Sequence, residues 1–77
     1  MQLDELRRRF EAAGHRVSPR DDVDASAAAW FLELSVGTLA NRRSKRQDPE
    51  YFDLPCGPRY PLVALVAFLE SRRRRAA

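Results

Sequence analysis

The residues best equipped to do chemistry in this chain are its arginines. Thirteen of its fourteen basic residues are arginine, the exception being Lys45. Two clusters stand out, Arg42-Arg43-Ser44-Lys45-Arg46 and Arg72-Arg73-Arg74-Arg75, with Arg59 between them. Residues 35–77 hold nine bases against four acids, a net +5, whereas residues 1–34 hold five bases against seven acids, a net −2. A guanidinium group is a planar fork that grips phosphate or guanine through paired hydrogen bonds. Such a one-sided distribution is the electrostatic footprint of a polyanion binder. A solvated charged face, or the codon usage of a GC-rich genome, gives the same count, so placement on the fold has to decide.

Other chemistries are poorly represented. There is one histidine, His15, and one cysteine, Cys56, so neither an internal disulfide nor a Cys/His zinc site can form. No glycine-rich phosphate loop and no catalytic constellation are present, so the chain reads as a non-enzyme without cofactor or metal. At 77 residues it is one domain at most, and a chain this short buries only about 60% of its unfolded surface. The apolar run from Leu62 to Leu69 is too short to cross a bilayer, and the acidic start Met1-Gln2-Leu3-Asp4-Glu5 is not a signal peptide. A cytoplasmic location, with no membrane partner, is expected.

The elements that must position the arginines can be read from periodicity. Leu3, Leu6, Phe10 and Ala13 repeat with a helical period over residues 2–13, and Gly14 is a natural stop. Residues 15–23 read as a connector. Asp24 is a candidate N-cap for a helix near 25–33, whose run Ala27-Ala28-Ala29-Trp30-Phe31-Leu32 is apolar all round and therefore expected in the core, Trp30 and Phe31 included. Ser35 is a candidate N-cap for a basic helix over 36–46. Two helices joined by so short a turn have the sequence shape of a helix-turn-helix. Tyr51-Phe52-Asp53-Leu54 and Arg59-Tyr60, separated by Pro55-Cys56-Gly57-Pro58, read as a small hairpin. Pro61 is placed to open a last helix whose apolar face is Leu62, Leu65, Phe68 and Leu69. The fold class is thus mainly α with a small β-hairpin wing: a winged helix-turn-helix over 24–75, preceded by an N-terminal helix and connector over 1–23.

At this point the sequence resembles a family. Ala28-Ala29-Trp30-Phe31-Leu32-Glu33-Leu34-Ser35-Val36-Gly37-Thr38-Leu39-Ala40-Asn41-Arg42-Arg43 is similar to the opening A-A-x-x-L-G-V-S-x-x-T-L-x-x-W-R of the excisionase-like helix-turn-helix of the MerR superfamily. Asp48 to Leu54 resembles its G-P-x-[FY]-[VI]-K-[LI] wing strand, Arg59-Tyr60 its second strand, and Leu65 to Leu69 its closing helix. Arg42, Asp48, Asp53 and Ala64 stand where that pattern has Trp, Gly, Lys and Asp. The resemblance implies a small phage, prophage or mobile-element protein in a bacterial host. Its expected role is excisionase, directing a site-specific recombinase (integrase), or transcriptional regulator.

For DNA binding, residues 36–46 would enter the major groove and the wing, 51–60, would lie on the adjacent backbone or minor groove. Gly37, Ala40, Asn41, Ser44 and Lys45 would face the groove, and Leu39, Arg42 and Arg46 the domain. Asn41 would pair with adenine, supported by Thr38 and Ser44, and Ser35 is also expected to contact DNA. Arg43, Lys45 and Arg46 would mainly hold phosphate, Arg59 would enter or flank the minor groove, and the run from Arg72 and Arg73 to Arg75 would add sequence-independent grip. One copy covers a short half-site, so further copies on the DNA are expected. Two alternatives compete: an adaptor or inhibitor of phage origin on the same scaffold, as in terminase small subunits, and a nonspecific architectural DNA binder.

Overall fold

The computed structural model describes residues 2–76, with side chains described as far as Arg72. Four helices and three short strands follow in the order α1 (Leu3–Ala12), β1 (Asp22–Asp24), α2 (Ala25–Leu32), α3 (Val36–Ser44), β2 (Phe52–Leu54), β3 (Gly57–Pro61) and α4 (Leu62–Ala76). The helices form where the periodicity puts them, and their caps are the ones the side chains can make. Asp24 accepts a hydrogen bond from the Ala27 amide, and Ser35 accepts one from the Thr38 amide. Both satisfy amides that a helix start otherwise leaves unpaired.

The strands depart from the expected hairpin. Residues 22–24 form β1 instead of loop, and the antiparallel sheet has the order β1-β3-β2. Val23 pairs with Tyr60 and Asp22 with Pro61 across β1 and β3, while Leu54 pairs with Gly57 across β2 and β3. Two residues, Pro55 and Cys56, therefore turn the hairpin, and Gly57 at φ 122° adopts a backbone that an L side chain resists. Pro61 is recruited as the last residue of β3 rather than the first of α4, which opens at Leu62.

One core serves the whole chain. Leu6 and Phe10 of α1, Val23, Tyr60, Leu39, and Leu62 and Leu65 of α4 are all at most 1% exposed and belong to a single cluster. The division between an N-terminal segment ending at 23 and a domain starting at 24 falls inside β1. The apolar face of α1 is thus covered by the chain itself.

Trp30 corrects an expectation. The helix apolar all round buries its small residues, Ala27, Ala28 and Ala29, together with Leu32, where closely approaching elements leave no room for an indole. Trp30 is left 44% exposed, edge-on to Phe10 at 5.3 Å and tilted against His15 at 5.0 Å. Phe31 is half-buried beside Phe10.

Candidate nucleic-acid interface

The expected recognition helix is α3, ending at Ser44 rather than Arg46. Glu33, Leu34 and Ser35 join it to α2, and Glu33 makes the turn at φ 57°. Leu39 is fully buried and fixes the helix on the core. Gly37, Thr38, Asn41, Ser44 and Lys45 are exposed, as is Ser35 at the cap, while Ala40 is half-buried. Most of the face expected to meet a groove is therefore open. Ser35 and Thr38 are bonded to each other, the Ser35 hydroxyl donating to Thr38 Oγ1 at 2.8 Å.

The arginines divide differently from the sequence expectation. Arg46 lies beyond the end of α3 and is exposed instead of facing the domain. Arg43, expected on phosphate, turns inward: its Nη1 donates to the Tyr60 hydroxyl at 2.9 Å, and its guanidinium lies 5.9 Å from the centre of the Tyr51 ring. It ties α3 to the sheet. Arg42 is half-buried on α3. Its Nε donates to the Asp48 carbonyl at 2.6 Å, and its guanidinium lies 5.0 Å from the centre of the Phe68 ring. Among the described residues no carboxylate pairs with Arg42.

Arg59 is the clearest correction. It is the sole basic residue of the wing, but it sits on the central strand and points away from the tip. Its Nε donates to Asp22 Oδ1 at 2.9 Å and its Nη2 to the Asp22 carbonyl at 3.2 Å, leaving its side chain 18% exposed. The wing therefore presents Phe52, Asp53, Pro55 and Cys56 to solvent and no free cation.

Asp22 is the residue that sequence reasoning missed. Within the polar run Arg20-Asp21-Asp22 it looked like connector, yet its side chain is 1% exposed. Burial pushes its carboxyl pKa up, but hydrogen bonds from Arg59, Ser18 and Arg20, with the charge of Arg20, outweigh this and hold it below the usual carboxylate value. The Ser18 hydroxyl donates to Asp22 Oδ1 at 2.8 Å, and Arg20 Nε donates to Oδ2 at 3.1 Å. Arg7 joins the same region, donating to the Ser18 carbonyl at 3.0 Å and pairing with Asp21. The available signal was the alternation Asp22-Val23-Asp24, a short strand pattern with one apolar residue.

Arg72 lies on α4, its guanidinium 5.5 Å from the centre of the Phe68 ring that Arg42 also approaches. The side chain of Arg73, the other α4 residue expected to contact DNA, lies outside the described residues. Among the described residues, no three His, Cys, Asp or Glu side chains gather to hold a metal ion, and no helix is long and apolar enough to cross a membrane. In comparisons with known proteins, no family model matches the chain, and neither a curated protein nor a solved structure does.

Proposed function

We propose that this chain binds double-stranded DNA sequence-specifically, with α3 in the major groove, in the excisionase or small-regulator role that the family resemblance implies. The observation carrying this reading is the bare face of α3. A capped helix, held by Leu39 and joined to α2 by a tight turn, leaves Gly37, Thr38, Asn41, Ser44 and Lys45 without neighbours to cover them. A Cβ at Gly37 would meet nothing closer than Ser35 Oγ at 3.9 Å, so no packing within the protein requires glycine there. At the second residue of the helix, the absence of a Cβ leaves room for a groove to approach the backbone closely. Asn41, at the middle of this face, has the donor and acceptor pair that reads adenine.

The test is selection from a random duplex pool at near-physiological salt. Enrichment of a short motif supports the reading. Asn41→Ala should then cost roughly 1–3 kcal/mol and relax preference at one base pair. Selection unchanged by Asn41→Ala would remove α3 from the recognition role. One observation favours a protein-adaptor reading instead, the exposed Trp30 beside His15. That reading takes over when nothing is enriched and binding vanishes as salt rises.

A further inference from the structure

We propose that the cleft between the end of α3 and the middle of α4 is a site for one phosphate of the DNA backbone, shared by Arg42, Arg46 and Arg72. This rests on the DNA-binding reading above and adds to it where the backbone is held. The cleft measures about 370 Å³, and its lining includes these three arginines, Gln47, Asp48 and Phe68. Three arginines thus line the cleft with one aspartate. Like charges gathered in one cleft repel, and an anion seated between them turns that repulsion into attraction.

The arginines are positioned with their donors free. Phe68 lies 5.0 Å from the Arg42 guanidinium and 5.5 Å from that of Arg72. A ring occupies the face of a guanidinium and leaves its edge, where the N–H donors are, available for a phosphate. Arg42 commits only Nε, to the Asp48 carbonyl. Among the described residues, none of the three arginines forms an ion pair. Arg46 is exposed. A helix C-terminus repels anions by its dipole, so a phosphate at the end of α3 needs cations placed there to offset it. The ligand is a backbone phosphate because Arg46 of the lining follows directly on Ser44 and Lys45, which close the exposed face of α3, and the wing supplies no free cation to hold the backbone in its place.

Sharing one phosphate has a measurable signature. The affinity of the full chain for a short mixed-sequence duplex is followed by fluorescence anisotropy between about 50 and 200 mM salt. Arg46→Gln and Arg72→Gln should each weaken binding roughly fivefold. The triple variant Arg42→Gln, Arg46→Gln and Arg72→Gln should shallow the salt slope by about 0.9, the value for one phosphate, and not by about twice that or more. An unchanged slope in the triple variant, with Asn41→Ala still altering selection, overturns the cleft alone. A fall of about 1.8 overturns the sharing, because it counts two phosphates. Saturation by inorganic phosphate at micromolar concentration, with the duplex slope unchanged, makes it a site for a free anion and overturns the backbone assignment. No duplex binding by the unsubstituted chain overturns both this site and the DNA-binding reading.

Discussion

The arginines around β1 and those around the end of α3 are the same side chain in opposite circumstances. Arg59, Arg20 and Arg7 each meet a carboxylate, Asp22 or Asp21, and hold α1, the connector and the sheet together. Arg42, Arg46 and Arg72 meet none among the described residues and lie around an open cleft with one aspartate in its lining. Counting charge along the chain puts Arg59 with the second group. Its place on β3 beside β1, from which it reaches Asp22 two residues along the neighbouring strand from its register partner Asp24, puts it with the first. A basic residue is available to a polyanion only when the fold has not already given it an anion, and strand pairing decides that here.

The largest test of this contrast is Asp22→Ala. It leaves Arg59 largely buried without a counter-charge, and breaking such a pair from one side costs about 3 kcal/mol or more. For a domain of this size the melting temperature should fall by more than about 12 °C. The acid limb of the stability curve carries the same information. The Asp22 carboxyl is held below its ordinary value, so its contribution is complete above the unfolded-state pKa of about 3.9. It is lost as pH falls from there through the lowered folded-state pKa. Urea midpoints measured against pH should show this loss in the parent chain and not in Asp22→Asn.

Next in size is Arg59→Gln. Losing two hydrogen bonds and an ion pair to a buried carboxylate should cost about 2 kcal/mol by urea unfolding. The salt slope for duplex binding by the folded variant should not change. A variant of unchanged stability whose slope falls by about 0.9 would move Arg59 to the free group and break the contrast.

Local signals carried most of the fold into the sequence. The helix starts at Asp24 and Ser35 were legible because a cap is a relation between residues three apart, and the hairpin was legible from its turn residues. What escaped was long-range. Asp22 and Arg59 stand 37 residues apart, and nothing near either one announces the other. Trp30 escaped for a related reason. Hydropathy says that a helix is buried on several sides, but which neighbours come close enough to favour Ala27, Ala28 and Ala29 over an indole depends on the assembled sheet and helices. On the candidate site, the exposed face of α3 was legible from its period, whereas the inward turn of Arg43 depended on a tyrosine hydroxyl in β3.

The smallest effect separates the two groups most sharply because its two readouts take opposite signs. Arg46 sits at φ 56°, where the Gln47 amide donates to the Arg42 carbonyl at 2.8 Å and the Arg46 amide to the Arg43 carbonyl at 3.1 Å. This helix ending normally takes glycine, since a left-handed backbone costs an L-residue roughly 1–2 kcal/mol. Arg46→Gly should therefore stabilise the chain by about 0.5–1 kcal/mol, after the greater unfolded-state entropy of glycine is allowed for, while weakening duplex binding. Glu33 ends α2 in the same way at φ 57°, with the Leu34 amide donating to the Ala29 carbonyl at 3.0 Å. Glu33→Gly should give a similar stabilisation in urea without weakening binding, as only an acidic side chain is lost. If both substitutions weaken binding, the backbone at these turns and not the Arg46 guanidinium controls affinity. If only Arg46→Gly does, a strained position is occupied by an arginine because its charge is needed there.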